Sequence, residues 1–258
     1  MNYILECCVD SVESAIEAKI GGANRIELCS NLIIGGTTPD VNLFHLVKER
    51  VGIKTHVLIR PRFGDFCYTD HEFELIKRDI DMFHNAGADG VVIGILSPEG
   101  NLNLERMKQL VAIAKGMHIT LHRAFDMCKN PMLVLEQAKE LGIHTILTSG
   151  QRNNCLEGKE LISELIKESK GQVEILIGAG VSAEIVRELI QHTKGSSYHL
   201  SGKSVIDSQM KYRKENVTMG LPMFSEYEIW QTDHRKIKEV KDILEEYIGD
   251  NNFGSTGI

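Results

Sequence analysis

The 258-residue chain has no stripe of basic residues: its Lys and Arg side chains are scattered and its net charge is −7. Nucleic acid would have no electrostatic footprint to bind, so it is excluded as a partner. Long apolar runs are missing too. No segment reaches the roughly 18–20 residues that a membrane span needs, and Met1–Glu6 carries neither a charged leader nor an apolar stretch, so no membrane partner is expected. The six cysteines (7, 8, 29, 67, 128 and 155) include no CxxC pair. They read as reduced thiols of a cytoplasmic protein rather than as a disulfide framework. Finally, no GxGxxG follows the first strand-like segment, which argues against an open dinucleotide-binding sheet.

What is present is a regular alternation. Strand patterns fall at Ile4–Cys8, Arg25–Leu28, Thr55–Ile59, Gly90–Ile93, His118–Leu121, Thr145–Thr148, Glu174–Ile177 and Ser197–Leu200. Helical patterns lie near 12–20, 40–50, 70–86, 104–115, 131–141, 156–169, 183–192 and 233–248. Several helix exits repeat one design: Gly21-Gly22-Ala23-Asn24, Ala86-Gly87-Ala88-Asp89 and Leu141-Gly142-Ile143-His144 each set a Gly between helix and strand. Eight such units predict an α/β protein of one domain, a closed (β/α)8 TIM barrel over residues 1–248. Residues 201–231 read as an excursion with little regular structure, and 249–258 as a flexible tail.

In such a barrel the working groups stand at the C-terminal ends of the strands, and here those ends are polar. Glu6 and Cys8, then Glu27 and Cys29, form two Glu-x-Cys triplets. Side chains two apart on a strand share a face, so all four converge if the strands are neighbours. Two thiols suit a soft ion such as Cu(I), whereas carboxylates suit acid–base work or harder ions. Arg60, Arg62 and Arg123 point to an anionic ligand, although Arg62 with Asp65 reads equally well as a structural ion pair. Gly178-Ala179-Gly180 and Thr148-Ser149-Gly150 can offer donors to the same anion. His122 and His199 end apolar strands, where an imidazole serves as acid, base or ligand. Ser201 and Asp126 complete the rim.

Several blocks together resemble the CutC family of copper homeostasis proteins. They are Glu6-Cys7-Cys8-Val9-Asp10-Ser11, Gly22-Ala23-Asn24-Arg25-Ile26-Glu27-Leu28-Cys29-Ser30, Gly35-Gly36-Thr37-Thr38-Pro39, Ile59-Arg60-Pro61-Arg62, His122-Arg123-Ala124-Phe125-Asp126-Met127 and Leu147-Thr148-Ser149-Gly150-Gln151. The resemblance runs from residue 4 to about 245. It implies a cytoplasmic TIM barrel that forms homo-oligomers and binds Cu(I), with Cys8 and Cys29 matching the family's proposed copper ligands. Near the eighth strand the chain departs from the pattern: His199-Leu200-Ser201-Gly202 is followed by Lys203, where relatives often carry Arg. Two thiols leave the polar rim without a purpose, so an enzyme reading stands beside the copper one. It is acid–base or metal-assisted chemistry on a small anionic or sugar-like substrate. Glu6, Glu27, His122 and Asp126 would then serve catalysis, and Arg60, Arg123, Ser149, Gly178, Gly180, His199 and Ser201 would hold the ligand.

Overall fold

The computed structural model describes residues 3–221 and 223–253. Eight parallel strands close into a barrel in chain order: β1 (Ile4–Val9), β2 (Arg25–Leu28), β3 (Lys54–Leu58), β4 (Gly90–Ile93), β5 (His118–Leu121), β6 (Thr145–Thr148), β7 (Glu174–Ile177) and β8 (Ser197–Leu200). The helices between them are α1 (Val12–Gly21), α2 (Val41–Arg50), α3 (Asp70–Asn85), α4 (Leu104–Ile113), α5 (Pro131–Leu141), α6 (Lys159–Ser169) and α7 (Ala183–Thr193), and α8 (His234–Phe253) comes last. The expected barrel is therefore the observed one.

Local chemistry explains where the elements begin and end. Ser11, Asp40, Thr69, Asn130 and Ser182 cap the helices that follow them with a side-chain oxygen, satisfying backbone donors that would otherwise be orphaned. Thr69 and Glu72 add a reciprocal capping box. At the exits, Gly22 (φ +90°), Gly87 (φ +86°) and Gly142 (φ +71°) take the left-handed conformation that the repeated Gly motif predicts.

The period-two pattern of the strands separates two environments. Leu5, Cys7, Val9, Ile26, Leu28, Val57, Ile93, Ile119, Leu121 and Ile146 belong to the main core under the helices. The alternate residues face the barrel axis, where Cys29, Leu58 and Val92 form a small apolar cluster of their own. The rest of that inner face is largely polar. Strand register then places Glu6 opposite both Arg25 and His199, and Cys8 opposite Glu27. The four groups of the Glu-x-Cys triplets thus stand on adjacent strands.

Three boundaries differ from the sequence reading. The 201–231 excursion contains an antiparallel pair, β9 (Lys203–Asp207) and β10 (Glu228–Thr232), with Val205 opposite Trp230. Gly202, Gly220 and the polar residues between masked two short β-prone runs, and local patterning cannot reveal a partner some twenty residues away. Helix α6 begins at Lys159 because residues 151–158 form turns. Helix α8 runs to Phe253, so residues 249–253 are helical rather than tail. Residues 254–258, the rest of the expected tail, lie outside the described residues. Among the described residues no helix is long and apolar enough to cross a membrane.

Candidate functional site at the barrel mouth

Deep in the barrel, Glu6 is fully buried and bonds the Arg25 guanidinium through one oxygen and His199 Nδ1 (2.8 Å) through the other. His56 Nδ1 lies 3.9 Å away. Burial works against charge on Glu6, but Arg25 and the His199 bond outweigh it and hold the carboxyl well below the usual carboxylate range. Glu27 behaves in the opposite way. Its burial pushes its pKa up; the charge of Glu6 adds to the rise, and His199 and Arg25 oppose it. Its Oε2 is buried without a hydrogen-bond partner among the described residues. Ligand atoms of Glu6, Glu27 and His199 lie within 4.8 Å of one another. The pKa values of two carboxylates in one cluster are therefore pushed apart, the pattern from which acid and base roles arise.

Toward the N-terminal ends of the strands three imidazoles stack. The His56 and His118 ring centroids are 4.7 Å apart, and those of His118 and His144 4.6 Å apart. Gly90 makes room for this column, because a Cβ there would lie 2.6 Å from His56 Cδ2. Burial lowers the pKa of His56 to about 4 and that of His118 to about 3.

Above the cluster opens a cavity of about 470 Å³, large enough for a small organic ligand. Cys8, Glu27, Cys29, Arg60, His122, Arg123, Gly180, His199 and Ser201 all line it. Cys29 is fully buried; its Sγ faces Val9 O at 3.5 Å, and burial, followed by the nearby Cys8 sulfur, pushes its pKa well up. His199 also meets the Cys8 side chain. Burial opposes charge on that imidazole, but Cys8, Glu6 and Glu27 raise its pKa well above the ordinary value.

Five expected residues stand off the wall. Glu6 lies beneath it, and Gly178 packs against β6, where a Cβ would strike Leu147. Asp126 accepts from Arg123 Nε (2.7 Å), Thr148 Oγ1 (2.5 Å), the Ser149 hydroxyl (3.0 Å) and the backbone amides of Ser149 and Gln151. Those bonds occupy the carboxylate in tying the 3-10 turn Arg123–Met127 to the end of β6, and Ser149 shares in the same knot. Arg62 bonds Asp65 (2.9 Å) and Glu72 (2.6 Å), which makes it a structural ion pair. The sequence reading passed over Phe66 and gave Lys203 no place in the site, yet both line the cavity. The aromatic in the long Arg60–Thr69 loop and the cation just beyond Ser201 were the available signals.

A closed parallel barrel with a polar, chargeable cavity at the C-terminal ends of its strands defines the class. The CutC family profile matches residues 3–204. The human protein called copper homeostasis protein cutC homolog is 42% identical over 242 residues, covering 93% of this chain and 89% of the relative. The family protein CutC of Histophilus somni is 40% identical, covering 94% and 99%. The crystal structure of CutC from Streptococcus agalactiae superposes with a TM-score of 0.73 at 29% identity, over 77% of this chain and 98% of that one. The chain belongs to the CutC family.

Proposed function

We propose that this chain is a cytoplasmic copper homeostasis protein that binds Cu(I) through Cys8 and Cys29. The observation that carries this reading is that both thiols line one cavity, on adjacent parallel strands. Two sulfurs suffice for Cu(I), which tolerates low coordination by soft ligands. Cys29 is held as a thiol, so copper must displace a proton there. The mammalian and bacterial relatives support the copper role through their names and not through any shown ligand set. X-ray absorption at the copper edge tests the reading: the Cu(I)-loaded protein should show two sulfur neighbours, and Cys29→Ser should show one. Nitrogen and oxygen neighbours alone would refute it.

A second reading is favoured by Arg60, a buried cation that lines the cavity and has no acidic partner among the described residues. In that reading the cavity takes a small organic anion, and Glu27 and His199 serve acid–base chemistry on it. Saturable binding of a small anion by calorimetry, abolished by Arg60→Gln, is the expected result. No binding of any anion would refute it.

A further inference from the structure

One wall of the cavity is built from Arg60, Phe66 and His122. Arg60 is only 8% exposed, and backbone carbonyls hold its guanidinium: Nη1 donates to Gly35 O (3.2 Å) and Gly36 O (3.0 Å), and Nη2 to Gly64 O (2.9 Å). Gly35 (φ +87°) and Gly36 (φ +83°) turn those carbonyls inward through left-handed backbone. A side chain at 36 would also press its Cβ to within 2.8 Å of Leu58. No carboxylate among the described residues pairs with Arg60, and the Tyr68 hydroxyl interacts with it. The Tyr68 hydroxyl beside it is neutral, because burial raises its pKa to about 12. A buried cation without a counter-charge is costly, and a bound anion removes that cost.

His122 is 4% exposed, and its tautomer is set by the backbone. Its Nδ1 accepts the Ala124 N–H at 3.1 Å, so in the neutral ring the proton must sit on Nε2. Burial and the charge of Arg60 keep the ring neutral, lowering its pKa to about 3. Nε2 has no hydrogen-bond partner among the described residues. Phe66 fixes both groups: its ring lies 5.1 Å from Arg60 Cζ and 4.7 Å from the His122 ring. Position 94 must be glycine for the imidazole to fit, since a Cβ there would lie 2.7 Å from His122 Cε1.

We infer that the Arg60–Phe66–His122 wall is a subsite for the carboxylate group of a small organic acid, held by the charge of Arg60 and the neutral His122 imidazole. The wall supplies one positive charge and a neutral N–H donor, which matches the single charge of a carboxylate. A phosphate dianion would exceed it. His122 therefore acts as a fixed neutral donor, not as a base or metal ligand. This rests on the second reading above, that the cavity takes an organic anion.

The test is nitrogen-15 NMR of histidine-labelled wild-type protein, titrated separately with acetate, pyruvate, glycerate and inorganic phosphate. Before any addition His122 should show a protonated Nε2 and a bare Nδ1 from pH 5 to 8. At least one carboxylate should then shift the Nε2–H resonance saturably, with phosphate weaker. His122→Phe, which keeps the ring volume, should weaken that carboxylate by about tenfold or more. Saturable binding that leaves His122 unmoved would overturn the subsite while sparing the anion reading. Tighter binding of phosphate at His122 would overturn the carboxylate class. No saturable binding of any probe would overturn both.

Discussion

At the residue scale, the two buried carboxylates of the Glu-x-Cys triplets have opposite roles in stability. Glu6 carries its charge between Arg25 and His199, so Glu6→Gln leaves a buried guanidinium uncompensated. We expect a loss of about 3–5 kcal/mol at pH 7 in urea unfolding. Glu27 has its folded-state pKa raised by burial. Its neutral form suits the fold, and stability is lost as pH rises above the ordinary carboxylate range. Glu27→Gln should therefore raise the melting temperature of the metal-free protein at pH 8 and leave it nearly unchanged at pH 4. A fall at pH 8 would show that the Glu27 charge is compensated. The convergence of both residues was legible in the sequence, because two-residue spacing on neighbouring parallel strands puts side chains on one face. Their difference in pKa was not. It depends on Arg25, which in sequence is only an arginine at a strand start.

At the element scale, the barrel strands and most helices could be read from periodicity and from the Gly-terminated helix exits. The β9–β10 pair could not, since both strands are largely exposed and lack the buried apolar run of a barrel strand. Its base is nonetheless tied down, with Thr232 donating its hydroxyl to Ser201 O at 3.0 Å and its amide to Ser14 Oγ at 3.2 Å. Lys203 Nζ sits 3.4 Å from the Trp230 ring centre, so β9 begins where the cavity wall ends. The segments after β3, β4 and β5 meet through packing that no local motif announces. Gly94 is the clearest case. Gly94→Ala must displace the rigid His122 ring, and we expect destabilisation of about 1–3 kcal/mol by denaturant melting, together with a moved His122 resonance. An unchanged resonance would contradict the packing described here.

At the scale of the whole molecule, His56, His118 and His122 are held neutral inside the barrel, with pKa values lowered to about 4, 3 and 3 from an ordinary 6.5. The unfolded chain binds protons to these rings before the folded one does. Their contribution to stability is thus complete above pH 6.5 and is lost as pH falls from 6.5 toward 4. Each ring costs on the order of 1.4 kcal/mol per pH unit in that window. A steep decline in unfolding free energy between pH 6.5 and 4 is expected, shallower in His56→Phe if that variant folds. A flat profile would mean that one or more of the rings is charged in the fold.

The central claim is that the two thiols of the barrel mouth handle copper, and an anaerobic Cu(I) titration against a strong competing chelator tests it most directly. Wild-type protein should take one Cu(I) per chain from the chelator, and a folded Cys8→Ser, Cys29→Ser double variant should take none. Stoichiometric copper retained by the double variant would contradict the account.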